Sequence, residues 1–572
     1  MFIDHLVGDL SIQESSKKPG EIVYILPKLH SGEEVLSLTT SVCPYCYRVL
    51  PAVIVEREGK VYIRRTCPEH GETEELYYGD VDFYKRIVKY TEDGRGARHI
   101  YTQVKTLCPF NCGLCPMHKQ HTALVNMVIT NRCNLSCWYC FFYSEASGYV
   151  YEPTLDQIRE MVKSIKKQGV TVAIQLTGGE PLLREDLVDI VKLLKEEGVR
   201  HIQLNTNGIR FAELYMEDPV KAVEYARELR SNGVNTVYLS FDGVTPVTNW
   251  KNHWEVPYIL ETFRKASITS TVLVPTVIKG VNTHELGAIV RFAAKHIDVI
   301  RAVNFQPVSL TGYMKKHERE KYRITIPEVV KLIEEQTDGQ VTRDAWFPVN
   351  VSALFSRFIE GFSGEFKFEM SNHPICGVGT YIYVEKRGNE IKLTPITNFV
   401  DVEGLLEYLR EKWEDLVTGS NRYMVGLRLL YSIRKFIDPS KQPEGLDLYK
   451  LLFNVIIKRS YNALGELHYK LLFLGQMHFM DLYNYDIQRV QRCNIHYSVP
   501  DGRLIPFCAF NIFDDIYRDK IHKEYGISLE EYSSKYGLPK GQVTRKYIRD
   551  RRRLESSEIY KLAYEGVIRS KA

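Results

Sequence analysis

From Ala123 onward, short apolar runs alternate with longer segments whose apolar positions recur every three or four residues. The runs are LVNMVIT (124–130), VTVAIQLT (170–177), HIQLNT (201–206), NTVYLSF (235–241), ITSTVLVPTV (268–277) and IRAVNFQP (301–308). Between them, LDQIREMVKSIKKQG, LREDLVDIVKLLKEEG and VKAVEYARELRSNG each close on Gly, as helices capped at their C-termini do. Six apolar strands alternating with helices predict a parallel sheet. An open doubly wound sheet, a complete eight-fold barrel and a barrel of six units all satisfy that rhythm.

The pattern differs on either side. VLPAVIVE and KVYIRR flank Glu58-Gly59 and sit between VCPYC (42–46) and TCPEHG (66–71), which predicts a β-hairpin bracketed by two Cys turns. So small a module needs a metal to hold it. Residues 72–106 form an acidic, Tyr-rich connector with a helix predicted over 80–91, followed by LCPFNCGLCPMHKQH (107–121). After Gly312 the alternation ends. ITIPEVVKLIEEQTDG reads as a helix, SNHPICGVG as a loop, and YIYVEKRGNEIKLT as a hairpin turning at Arg387-Gly388-Asn389. Helical stretches are predicted over 402–417, 420–436 and 446–480. RCNIHYSVPDGRLIPFC (492–508) reads as a metal-binding segment, and TRKYIRDRRRLES as a basic helix that is solvated or touches phosphate or lipid headgroups.

Composition adds limits more than direction. A chain of 572 residues exceeds what one core holds. A net charge of +4 gives no reason to expect a nucleic acid partner. The start lacks a secretory pattern, and no run reaches the roughly 18 apolar residues of a spanning helix, so a cytoplasmic enzyme is expected, with membrane association left open. In that compartment twelve cysteines point to metal rather than to disulfides, and all twelve fall into sets of three.

Cys43, Cys46 and Cys67, with His70, make C-x2-C and C-x2-H at the two ends of the hairpin, a tetrahedral-site pattern that suits one zinc or one iron in a structural role. Cys108, Cys112 and Cys115 are spaced C-x3-C-x2-C; His118 and His121 could complete that set, but local hydrogen bonding is the reading preferred for each. Cys133, Cys137 and Cys140 repeat that spacing directly after the first strand of the alternating region. Three thiolates in such a loop hold three corners of a cubic four-iron cluster and leave the fourth iron open to a bound molecule. Cys376, Cys493 and Cys508 are dispersed, each in a Gly- or Pro-containing turn. They read as another cluster, with His373 or His496 as a candidate fourth ligand, or as separate buried cysteines.

The Cys133 triad resembles the signature of the radical S-adenosylmethionine superfamily. The resemblance implies that the open iron chelates the methionine part of S-adenosylmethionine and that reduction releases a 5′-deoxyadenosyl radical. Three further segments end successive strands, where ligands approach parallel sheets and barrels. LTGGEPLL places Gly178, Gly179 and Glu180 after the second strand, resembling the family's turn for the methionine amino group. LNTNG places Asn205 and Asn207 after the third, and YLSFDG places Ser240 and Asp242 after the fourth, where relatives carry ribose or carboxylate contacts. Taken singly, each is equally turn chemistry. Tyr139 resembles the aromatic position beside the adenine, although its residue type alone also suits the core, and Gln306 ends the sixth strand facing either the cavity or a strand-end hydrogen bond. The resemblance implies an α/β fold with a partial (β/α)6 barrel. The organisation expected is an N-terminal metal module (1–106), an auxiliary cluster segment (107–122), the barrel (123–312) and a mostly helical C-terminal region (313–572) with an auxiliary cluster and substrate contacts. Because only the Cys133 triad follows a barrel strand, the Cys108 triad is assigned to an auxiliary cluster.

Over residues 40 to 515 the chain further resembles the archaeal tetraether lipid synthases and their close relatives. This implies three [4Fe-4S] clusters, one mononuclear metal, an electron donor such as ferredoxin, and an archaeal ether phospholipid whose terminal methyl carbons are coupled. The rival reading is one-carbon transfer to a pterin or another planar cofactor precursor. A peptide maturase fits less well, because the C-terminal cysteines are too few and too scattered. The GGEP, LNTNG and SFDG series tells against a simple electron carrier. An apolar channel would favour the lipid, and a short polar pocket the pterin.

Overall fold

The computed structural model describes residues 17–142, 147–169, 172–314, 316–388, 390–451 and 469–567. The N-terminal start, Val170 and Thr171 of the expected second strand, the turn residue Asn389 and residues 452–468 of the expected helix 446–480 lie outside the described residues.

The hairpin grows into a four-stranded antiparallel ribbon: β1 (Glu34–Val42), β2 (Val49–Arg57), β3 (Lys60–Cys67) and β4 (Gly71–Tyr78), paired in that order. Its inner residues Ala52, Ile54, Val61 and Ile63 join the main hydrophobic core of the chain. The connector holds one helix, Val81–Val88, capped by the Asp80 carboxylate.

Six parallel strands follow as expected: β5 (Leu124–Thr130), β6 (Ala173–Gly178), β7 (His201–Thr206), β8 (Val234–Ser240), β9 (Thr271–Val274) and β10 (Ile300–Pro307). The first crossover helix, Leu155–Lys166, starts at a Thr154–Gln157 capping box. It buries Ile158, Met161, Val162 and Ile165, the one-face spacing of an amphipathic helix. Those side chains share a core with Val125, Met127 and Ile129 of β5, Ile174 and Leu176 of β6, and Ile202 and Leu204 of β7. Because side chains alternate along a strand, the residues between them turn away from the helices.

The C-terminal region is less helical than its sequence suggests. After the antiparallel pair β11 (Gly377–Arg387) and β12 (Glu390–Pro395), β13 (Leu471–Met477) lies parallel to β10. At the opposite edge β14 (Ile495–Ser498) lies parallel to β5 and turns back into β15 (Leu504–Pro506). The parallel array thus runs β13-β10-β9-β8-β7-β6-β5-β14. The expected helix over 446–480 is corrected over its last turn-lengths, since Leu471–Met477 buries Leu472 and Leu474 by pairing with β10 and β11 on either side. The basic tail is also not one helix. Residues 543–550 run without regular structure, and helices form only at Arg551–Glu555 and Glu558–Tyr564.

The last helix docks through two buried histidines. His253 stacks on Tyr564 at 4.4 Å between ring centroids, and His296 Nε2 donates to the Ala563 carbonyl at 3.0 Å. Burial lowers both imidazoles to about 4. A base lowered in the folded state stays neutral there while the unfolded chain protonates, so docking weakens as pH falls from about 6.5 towards 4. At pH 5 the loss amounts to about 2 kcal/mol per histidine. Hydrogen exchange over Glu558–Tyr564 should therefore accelerate at pH 5 relative to pH 7.5, ahead of strands β5 to β8. Equal protection at both pH values would refute the linkage.

Candidate active site

The Cys133 loop leaves β5 at Thr130 and is clamped on both sides. Gly179 N donates to the Thr130 carbonyl and Glu180 N to the Arg132 carbonyl, each at 2.8 Å. Asn131 bonds the backbone of Tyr149 and Tyr151, and the Arg132 guanidinium meets Glu152 at 2.7 Å. At the far end, Tyr313 N donates to the Cys140 carbonyl at 3.2 Å. Burial and the charges of Cys137 and Glu180 hold the Cys133 thiol well above the ordinary range, and burial pushes Cys137 up to about 12. Three cysteine thiols on one short loop at a strand end are a donor set that suits an iron-sulfur cluster with one iron left open.

The turns after the next strands close around this loop. Glu180 is buried; its carboxylate accepts from Leu182 N at 3.0 Å, Thr206 Oγ1 at 2.6 Å and Asn207 N at 2.7 Å, while burial raises it to about 7. Asn207 Nδ2 donates to Asn134 Oδ1 at 2.8 Å, inside the cysteine loop, and Asn205 Nδ2 to Thr177 Oγ1 at 3.2 Å. Asp242 is buried and accepts from Tyr139 OH, from Thr276 N at 2.9 Å and from Lys251 Nζ at 2.8 Å. Lys251 also lies 4.8 Å above the Tyr139 ring. Ser240 and Gln306 are half-buried at their strand ends. Gln306 sits in register with Thr276.

Sequence reasoning missed Lys251 and Asn252. Asn252 Nδ2 bonds the carbonyls of Asn207 and Ser240, each at 2.8 Å, and so ties the third and fourth strand ends together. Neither lies in a patterned motif; the only signal was their place in the polar segment TNWKNHWE just after SFDG. The tail was missed as well: Lys546 Nζ donates to the Cys133 carbonyl at 2.9 Å, and Tyr547 N to the Asn134 carbonyl at 3.0 Å.

The face of the sheet turned away from the helices is rich in amides. Asn126, Gln175, Gln203, Asn205, Asn304 and Gln306 occupy it, and Gln175 Nε2 donates to Gln203 Oε1 at 3.1 Å across neighbouring strands.

The other cysteine sets also gather. At the ribbon, Cys46 Sγ and Cys67 Sγ are 3.8 Å apart, and His70 Nδ1 lies 3.6 Å from Cys43 Sγ and 3.5 Å from Cys67 Sγ. All four ligand atoms lie within 4.8 Å of one another. Ideal tetrahedral zinc gives S–S edges of about 3.8 Å and S–N edges of about 3.6 Å, so the ribbon has the dimensions of a single-ion site. Burial works against the Cys67 thiolate, but the hydrogen bond from His70 and nearby backbone N–H groups bring it down to about 7. Cys108, Cys112 and Cys115 line one small cavity with His118 and Pro506. The dispersed residues Cys376, Cys493 and Cys508 come together beside it: the Cys508 thiol, raised chiefly by burial, feels the charges of both others, and Cys493 feels those of Cys376 and Cys112. Arg489 Nε reaches Cys376 Sγ at 3.3 Å. Of the candidate fourth ligands, His118 Nε2 lies 2.7 Å from the Cys493 carbonyl and 3.2 Å from His496 Nε2. His121 Nε2 accepts from Glu369 N, and His373 Nδ1 from Ile375 N.

Residues 127–293 match the family model of the radical SAM superfamily, and residues 35–79 that of the HMPTM N-terminal zinc ribbon domain. The chain is 41% identical over 503 residues to the 7,8-dihydro-6-hydroxymethylpterin dimethyltransferase of Methanocaldococcus jannaschii, covering 86% of this chain and 96% of that protein. It is 29% identical over 252 residues to a probable GTP 3′,8-cyclase of the same organism, covering 43% of this chain and 76% of the relative. Among solved structures, Streptococcus suis SuiB aligns over 38% of this chain and 46% of its own, at 17% identity and a TM-score of 0.30. The near-full-length pterin relative overturns the expectation of tetraether synthesis, and with it the ether phospholipid partner and the membrane contact. The amides on the inner face are a costly lining for an isoprenoid chain, since hydrocarbon offers them no hydrogen bond in place of water. No helix among the described residues is long and apolar enough to cross a membrane.

Proposed function

We propose that this chain, which belongs to the radical S-adenosylmethionine superfamily and within it to the family of the 7,8-dihydro-6-hydroxymethylpterin dimethyltransferase, is a radical enzyme that C-methylates a pterin-class cofactor precursor. The observation that carries this reading is the inner face of the sheet. Planar pterins present ring nitrogens, an amino group and a carbonyl around their edge, and side-chain amides offer both donors and acceptors to such an edge. A lipid chain would instead be drawn in by about 0.8 kcal/mol for each CH2 placed against apolar walls.

Cys133, Cys137 and Cys140 would hold the radical cluster, which when bound supplies the electron that cleaves S-adenosylmethionine to methionine and a 5′-deoxyadenosyl radical. Around it, Tyr139, Gly178, Gly179, Asn205, Ser240 and Gln306 border the space for the cosubstrate. Glu180, Asn207 and Asn252 act as positioning residues, because their polar atoms are committed to the strand ends and the cysteine loop. Asp242 holds Tyr139 and Lys251 in place. The Cys108 and Cys376 groups are read as two auxiliary clusters, and the ribbon as a zinc site.

Anaerobic, reconstituted enzyme given S-adenosylmethionine, a reductant, a dihydropterin and a separate one-carbon donor to supply the methyl carbon should yield a product heavier by one CH2 for each methyl installed, with 5′-deoxyadenosine formed alongside. Deuterium placed on the reacting substrate should appear in 5′-deoxyadenosine. Cosubstrate cleavage that no pterin stimulates, with no label transferred, would reject the substrate class while leaving the radical chemistry standing.

A further inference from the structure

The segment 540–553, KGQVTRKYIRDRRR, carries seven Lys or Arg residues against one Asp, a surplus of six in a chain whose total net charge is only +4. It does not hang free as a solvated helix. Through Lys546 and Tyr547 it is bonded to the carbonyls of Cys133 and Asn134, so the most basic stretch of the chain lies on the loop assigned to the radical cluster. Tyr547 and Arg549 anchor it from below, the Arg549 guanidinium meeting buried Glu255 at 2.5 Å. Arg545, Lys546, Arg551, Arg552 and Arg553 are exposed. Asp550 accepts from Arg553 N, capping the short helix that follows. Two apolar side chains lie open on the same two segments, Ile548 at 78% and Trp138, within the cysteine loop, at 42% exposure.

We propose that this strap and the Cys133 loop form the docking face for a small acidic electron-carrier protein. The inference rests on the assignment of the radical cluster to Cys133, Cys137 and Cys140. Each cosubstrate cleaved consumes one electron, and no group in the chain is a net source of electrons over repeated turnovers. One electron leaves the carrier, enters at the Cys133 loop and breaks the sulfur–C5′ bond of S-adenosylmethionine, giving methionine and the 5′-deoxyadenosyl radical; the carrier departs oxidised by one electron. The face has the make-up of a transient interface, apolar at two points and basic around them. An acidic partner is steered to such a patch, raising its on-rate by 10- to 1,000-fold at low ionic strength. The hydrogen bond from Lys546 to the Cys133 carbonyl offers a short bonded route from the surface to a ligand of the cluster. A nucleic acid would also be drawn to the charge, but the chemistry gives it no reason to sit on the cluster loop.

The test compares wild type with R545E/R552E, two exposed positions outside the contacts to the cysteine loop. The readout is 5′-deoxyadenosine formation driven either by a reduced two-cluster ferredoxin, as an acidic probe, or by dithionite. At low salt the variant should lose at least about tenfold in the ferredoxin-driven rate and keep the dithionite-driven rate. The wild-type ferredoxin rate should fall steeply with added salt, and the variant's should not. Equal ferredoxin rates for the two proteins would overturn the proposal. So would retention of labelled RNA that is lost in R545E/R552E while the ferredoxin rate is untouched, an outcome that would give the strap to nucleic acid. Failure of dithionite to drive cleavage in either protein would instead reject the cluster assignment.

Discussion

Replacing Cys133 by alanine should bring 5′-deoxyadenosine formation down to the background without enzyme, while the ribbon keeps its metal and the other two cysteine groups keep their iron. Only the Cys133 triad follows a strand of the parallel array and is clamped by the turn that ends its neighbour. Two remaining thiolates cannot both secure a cubic cluster and leave one iron open for the cosubstrate. Cys108→Ala is the informative comparison. Its thiol faces the cavity shared with Cys112 and Cys115, apart from the strand-end groups around Tyr139 and Asp242. That variant should still cleave S-adenosylmethionine and should lose methylated product. Metal analysis, 5′-deoxyadenosine and product measured on the same samples separate the two cases. Wild-type levels of 5′-deoxyadenosine from Cys133→Ala would move the radical site to another triad.

The barrel and its cysteine loop were legible because their signals are local. A strand, a C-x3-C-x2-C loop and a helix closed by Gly follow within a few dozen residues, and the register of β5 to β8 adds only neighbours in sequence. The strand Leu471–Met477 was not legible, since an apolar run of seven reads equally as helix until its partners are known. Those partners, Ile300–Pro307 and Gly377–Arg387, lie far away in the chain. The gathering of Cys376, Cys493 and Cys508 likewise depends on long-range pairing, of β11 with β13 and of β14 with β5. The choice of substrate failed for a different reason: the four metal groups are compatible with either chemistry and carry no information about it. Information was present one layer down, in the amides that interrupt otherwise apolar strands, Asn126 in LVNMVIT, Gln175 in AIQLTG and Gln203 in HIQLNT. Alternation places them on the face opposite the helices, where they present donors and acceptors rather than an apolar wall.

Gly179→Ala should remove the radical cluster without touching a cysteine. A Cβ at this position would lie 2.1 Å from the Arg132 carbonyl oxygen and 2.6 Å from its carbon. Both are backbone atoms of the residue before Cys133 and have no rotamer by which to retreat. The Gly178 Cβ would fare no better, 1.9 Å from the Thr130 oxygen, at a φ of +142° that side chains rarely adopt. Relief requires the two turns to part, which breaks the bonds from Gly179 N to Thr130 O and from Glu180 N to Arg132 O that set the loop. Overpacking of this kind costs about 1–3 kcal/mol, and the strain falls on the cluster loop rather than on the core. Gly198→Ala serves as the control: its φ is +79°, nothing lies within 4 Å of the added carbon, and the cost should be about 1 kcal/mol with cleavage retained. The measurement is iron per chain together with the paramagnetic signal of the reduced protein. If the glycines serve instead only to admit the methionine amino group, Gly179→Ala will keep its full iron content and its signal and will merely bind S-adenosylmethionine more weakly. Loss of one cluster's iron, with zinc and the other iron unchanged, is the outcome the backbone contacts require.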